Sequence, residues 1–130
     1  MKVLALDYGR ARTGVAVSDP TGQVARPLGV VERAATPAGI AALADLVRTQ
    51  GVERVVVGLP LTLEGKRGEQ AEETDRFVEE LRTAIDVPVE SFDERFTTDL
   101  AEQTRGRAPR DAQAAAHLLT SYLTRSRRGR

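Results

Sequence analysis

Four acidic residues in this chain stand where carboxylates could share a ligand: Asp7, the adjacent Asp93 and Glu94, and Asp111. Asp7 closes the apolar run Val3-Leu4-Ala5-Leu6, and a carboxylate there loses solvation unless it is paired or bound to a cation. It could equally cap the turn at Gly9 through its side chain. Asp93-Glu94-Arg95 ends a short strand pattern, and the C-terminal ends of parallel strands are where ligand-contacting groups collect. The plainer alternative is an acidic turn with Arg95 as a neighbouring ion-pair partner. Asp111 opens the last helical pattern, as a capping aspartate would. The small residues Ala112 and Ala114 to Ala116 in the same stretch would let that helix lie close to a sheet and bring Asp111 toward Asp7. Three carboxylates gathered from these places would hold one or two Mg²⁺ or Mn²⁺ ions, hard cations that take oxygen ligands, and such ions activate water against a phosphodiester.

Cationic groups flank these acids. Arg10 and Arg12 lie in the first loop, and Arg105, Arg107 and Arg110 precede Asp111; all are placed to offset phosphate charge. Lys66 and Arg67 sit in a glycine-bearing loop from Gly58 to Gly68, compatible either with a phosphate-touching loop or with an ordinary solvated one. That loop is not an ATP-binding P-loop: aligning the motif on Gly65-Lys66 leaves Pro60 where glycine is required and Arg67 where Ser or Thr is required. Thr97 and Thr98 suit a helix start, where a hydroxyl either caps the backbone or meets a phosphate. Tyr8 is the one aromatic residue placed to stack on a base. His117, the sole histidine, reads as a partly buried helix residue rather than a general base.

The elements that must position these groups follow from periodicity. Lys2 to Tyr8 and Thr13 to Asp19 read as strands joined by a short glycine-opened link, a β-hairpin. Gln23 to Val31 supplies a third strand, which Pro27 pushes toward a sheet edge. Thr36-Pro37 is an N-cap followed by a first-turn proline, and Ile40, Leu43, Ala44 and Val47 recur at helical spacing until Gly51. Glu53 to Gly58 carries three successive valines, the mark of a central strand covered on both faces. Ala71, Thr74, Phe77, Val78, Leu81 and Ile85 define the inner face of a second helix, and Pro88 to Asp93 forms a fifth strand. A third helix is expected from Thr98 to Gly106. A last one follows with Ala115, Leu118, Leu119 and Tyr122 inward, and Arg125 to Arg130 reads as a frayed basic tail. The order βββ-α-β-α-β-α-α predicts an α/β fold with a mixed five-stranded sheet, three antiparallel strands then two parallel, flanked by helices.

The 130 residues, 41% hydrophobic and 29% charged, suit a single domain over 1–130. Nineteen basic residues balance nineteen acidic ones, so net charge does not by itself argue for nucleic acid. Its distribution is uneven, at +2 over residues 1–31, −6 over 32–98 and +4 over 99–130. The absence of cysteine excludes disulfides and thiolate zinc sites. No signal-like leader or membrane-length apolar run is present, and a cytoplasmic protein with no membrane partner is expected.

With these pieces in place the sequence resembles the YqgF/RuvX family of Holliday-junction-resolvase-like proteins, also described as pre-16S rRNA nucleases, within the RNase H-like superfamily. The resemblance runs to about Leu123 and rests on LALDYGRARTGVAVSD, VVVGLPLTLEGKRGEQA, SFDERFTT and DAQAAAHLLTSYL, in that order. It implies an RNase H-like fold and Mg²⁺- or Mn²⁺-dependent endonuclease activity. The metal-binding acids would be Asp7, Asp111 and the DER segment, with Glu94 ahead of Asp93; Asp7, Glu94 and Asp111 would be catalytic. Arg10, Arg12, Lys66, Arg67, Arg95, Thr97, Arg105, Arg107 and Arg110 would meet nucleic acid. The substrate would be a ribosomal RNA precursor ahead of a branched DNA junction, cut by a monomer or homodimer. Two features depart from the wider superfamily: Gly58-Leu59-Pro60 offers no acid at the end of the fourth strand, and Ala114 stands where resolvases tend to carry another. Two rivals stay open. Asp7-x-Gly9 with Gly14 looks like the first phosphate loop of actin-like ATPases, although such enzymes need two lobes. A non-catalytic nucleic-acid-binding or ribosome-assembly protein on the same fold is the other.

Overall fold

A computed structural model of the protein describes residues 1–60, 68–93 and 108–128. Strand β1 (Val3–Asp7) pairs antiparallel with β2 (Arg12–Ser18), which pairs antiparallel with β3 (Ala25–Glu32). Helix α1 (Pro37–Gln50) then leads to β4 (Arg54–Leu59), parallel to β1, and helix α2 (Glu69–Ala84) leads to β5 (Val89–Asp93), parallel to β4. Helix α3 (Arg110–Arg128) ends the chain's described part. The sheet order is β3-β2-β1-β4-β5, the mixed five-stranded arrangement expected from the sequence. The β3 edge carries Pro27 where a missing donor costs least. The helix expected over Thr98 to Gly106 lies outside the described residues, as do Lys66, Arg67, Glu94, Arg95, Thr97, Arg105 and Arg107.

Local chemistry explains these boundaries. The Thr36 hydroxyl accepts from the Gly39 amide at 3.1 Å, Pro37 takes the first helical position, and Gly51 closes α1 in the left-handed conformation at φ 64°, which glycine adopts without penalty. The run Val55-Val56-Val57 is fully buried because α1 and α2 cover one face of β4 and α3 covers the other. On the first face, Leu4, Leu6, Val15, Val17, Val55 and Val57 pack with Leu43, Val47, Phe77 and Leu81. On the second, Val3, Ala5, Ala16 and Val56 pack with Ala115, Leu118, Leu119, Tyr122 and Leu123. Small residues on both sides of this second layer bring α3 close to the sheet.

Two expectations for the last helix are corrected. It runs through Arg128 rather than fraying at Arg125. The buried side chains of Leu118, Leu119, Tyr122 and Leu123 anchor the preceding turns, and cations in a final turn complement the helix dipole. Asp111 lies inside the first turn rather than at the cap. No helix among the described residues is long and apolar enough to cross a membrane.

Candidate metal and phosphate site at the strand ends

Asp7 is the last residue of β1 and is half-buried. Side chains alternate along a strand, so Asp7 shares its face with Val3 and Ala5, the face that α3 covers. Its partner across the β1–β2 ladder is Gly14. A Cβ built on Gly14 would stand 1.8 Å from the backbone oxygen of Asp111. The first turn of α3 therefore rests directly on Gly14, in space that any other residue would fill, and the Asp111 backbone lies over the strand residue paired with Asp7. On the other flank, Leu6 pairs with Val57, the last pair of the β1–β4 ladder, and buried Gly58 follows it on β4.

The fifth strand ends differently for its two acids. Phe92 pairs with Gly58 and packs with the α3 layer, while Asp93 pairs with Leu59 one residue on. Asp93 thus follows Val89 and Ser91 onto the α1–α2 side, away from the face that carries Asp7. Among the described residues, no three acidic or histidine side chains form a group able to hold a metal ion. The structure seats the backbone of Asp111 on Gly14, the ladder partner of Asp7, and leaves Asp93 on the opposite face. The donors on this face are carboxylate oxygens, which suit Mg²⁺ or Mn²⁺ rather than a soft metal.

The hairpin arginines are engaged by protein carboxylates. Arg12 Nε lies 2.9 Å from Asp111 Oδ2. Arg10 makes a two-pronged contact with Glu73 of α2, donating from Nε to Oε1 at 3.2 Å and from Nη2 to Oε2 at 2.9 Å. The Tyr8 hydroxyl donates to the same Oε1 at 3.3 Å, and the Tyr8 ring stacks on Phe77 with centroids 4.4 Å apart. Phe77 thus occupies one face of the ring that the sequence offered for base stacking, because Tyr8 alternates from Asp7 onto the α2 side. Hydrogen bonding from Arg10 holds the Glu73 carboxyl below its usual range, and burial, followed by the Glu73 charge, pushes the Tyr8 phenol up. Arg110 is exposed at the start of α3. His117 is half-buried on α3, as expected. A groove of about 540 Å³ runs from Asp7 and Gly9 past Pro60 to Glu69 and Glu73.

Glu73 was not foreseen, since one glutamate within Glu72-Glu73 carries no local mark of its partner. Gly14 did carry a signal, because an isolated glycine inside a strand pattern marks close backbone approach.

A β3-β2-β1-β4-β5 sheet whose central strand ends in an acid, with α1 and α2 on one face and α3 on the other, is an α/β fold of the RNase H-like type. Solved structures agree on the fold. Thermus thermophilus RuvC in complex with Holliday junction substrate superposes with a TM-score of 0.63 at 18% identity, over 99% of this chain and 96% of that one. The fowlpox virus Holliday junction resolvase gives 0.54 at 13% identity, over 96% and 99%. The chain belongs to the RuvX family, described as Holliday junction resolvase, which matches residues 1–125. A relative from Chloroflexus aurantiacus is 44% identical over 130 residues, 93% of this chain and 85% of the relative. One from Moorella thermoacetica is 41% identical over 135 residues, covering 96% of each. Both are named "Putative pre-16S rRNA nuclease".

Proposed function

We propose that this protein is a metal-dependent endonuclease of the cytoplasm that hydrolyses phosphodiester bonds in structured nucleic acid, with a ribosomal RNA precursor ahead of a four-way DNA junction. The observation that carries this reading is the seating of the Asp111 turn on Gly14, directly across the ladder from Asp7. Asp7 and Asp111 would hold Mg²⁺ or Mn²⁺ together with Glu94. Asp93 stands behind Glu94 in this set, and its strand register, which points it to the α1–α2 side, supports that order. When bound, such an ion supplies Lewis acidity and an activated nucleophile at neutral pH. The chain's own residues do the rest. Asp7 would hold the ion at the end of the central strand, and Asp111 would contribute from the first turn of α3. Arg10 and Arg110, with Lys66, Arg67, Arg95, Thr97, Arg105 and Arg107, would contact phosphates around the strand ends; these contacts orient a substrate without reading its sequence. Arg10 would exchange its Glu73 carboxylate for a phosphate of similar geometry.

The test incubates purified protein with precursor rRNA, junction DNA and linear duplex, each with Mg²⁺ and with Mn²⁺, beside Asp7→Asn. Wild type is expected to cut the rRNA precursor, while Asp7→Asn binds it and leaves it intact. Cleavage retained by Asp7→Asn, free of host nuclease, would remove the assignment. Salt-dependent RNA binding without turnover under either metal would favour a non-catalytic assembly factor instead.

A further inference from the structure

We propose that Arg12 is a positioning residue that holds the first turn of α3, and with it the Asp111 carboxylate, in place on the sheet. Arg12 and Gly14 are two residues apart on β2 and therefore share one face, and the Asp111 turn sits on that pair. Gly14 admits the Asp111 backbone, and Arg12 Nε grips one side-chain oxygen, Oδ2, at 2.9 Å. The Arg12 and Asp111 side chains are 56% and 37% exposed. An ion pair that open to water adds little to global folding, so what it contributes is local: one carboxylate oxygen is claimed and the end of α3 is tied to β2. Partners of this kind orient metal-binding side chains from behind, and losing them weakens metal affinity. Arg12 was expected to contact phosphate directly; its engagement with Asp111 gives it a different task. Two other roles make opposite predictions. If Arg12 merely competed with a cation for Asp111, its removal would tighten metal binding. If it served only as a phosphate contact, its removal would leave α3 untouched.

The inference rests on reading Asp111 as a metal ligand, and the experiment separates the two. Full-length protein, as wild type, Arg12→Gln, Arg12→Lys and Asp111→Asn, is titrated with Mn²⁺ by electron paramagnetic resonance, and amide hydrogen exchange over residues 112–116 is followed without metal. Arg12→Gln is expected to weaken Mn²⁺ binding roughly 10- to 100-fold and to speed exchange in that turn, with Arg12→Lys recovering part of both. Exchange unchanged in Arg12→Gln, or Mn²⁺ bound more tightly by it, overturns the proposal. Mn²⁺ binding that is equal in wild type and Asp111→Asn would instead remove the metal-ligand reading. The exchange comparison would still decide whether Arg12 holds the helix end.

Discussion

An alanine at position 14 would place its Cβ 1.8 Å from the Asp111 carbonyl oxygen, 2.3 Å from the carbonyl carbon and 3.0 Å from the Ala112 nitrogen. Ordinary contact begins at 3.4 Å, so strand and helix must part by about 1.6 Å. No rotamer relieves this clash, because all three atoms are backbone. The helix also cannot slide freely while Leu118, Leu119 and Tyr122 remain packed. Overpacking of this kind costs about 1–3 kcal/mol, and moving a reacting group by about 1 Å can cost about 100-fold in rate. Gly14→Ala should therefore lose that much stability in urea unfolding and about two orders of magnitude in cleavage of precursor rRNA. Gly29→Ala is the matched control, since nothing lies within 4 Å of its added Cβ. There alanine should gain about 0.5–1 kcal/mol over a glycine in a strand and leave cleavage alone. Wild-type stability and full cleavage in Gly14→Ala would refute the close approach of α3 to β2. A stability loss with cleavage intact would refute the link between that approach and the site.

The chain's two tyrosines make a direct titration possible. Burial is the largest cause raising both, with Glu73 adding to it at Tyr8 and Glu90 at Tyr122. Near-ultraviolet absorbance should show both ionising above the usual 10.0, and Glu73→Gln should lower Tyr8 part of the way while leaving Tyr122 unmoved. A raised folded value means that the folded state holds the phenolic proton more tightly. That share of stability is whole below about pH 10 and is lost as pH climbs through the raised values, which denaturant midpoints across pH 9–12 would reveal. Thr36→Ala should cost about 1 kcal/mol by removing the α1 cap, seen as a lower urea midpoint at unchanged slope.

The elements were legible where burial imposed a period. Thr36, Pro37 and Gly51 mark both ends of α1 because capping chemistry is local. The inner face of α2 was readable through Leu81 because one side of that helix is covered; Ile85, also assigned to it, falls just beyond the last turn. The three valines of β4 gave its double coverage away. At the site, Asp7 was legible as a carboxylate following an apolar strand. Its proximity to Asp111 rests on a contact between residues 97 positions apart, visible in the sequence only as small residues on both partners. The pairing of Arg10 with Glu73 was not legible, since nothing at either position depends on a neighbour in the chain. The face that Asp93 takes was not legible either, since it turns on strand phase, which the β4–β5 register supplies.

Beyond its packed face, helix α3 is tied to the sheet by polar and aromatic contacts at separate points along its length. At its far end the Tyr122 hydroxyl accepts from Arg54 Nη1 at 3.1 Å, and its ring meets Phe92 edge-on at 5.6 Å. Tyr122 lies eleven residues beyond Asp111, about 16 Å along the axis at 1.5 Å per residue. A stiff helix transmits displacement along its axis: a small tilt where Tyr122 meets Arg54 is carried to the turn that bears Asp111. Substitutions that tune turnover should therefore also be found at the opposite margin of the sheet, remote from any phosphate.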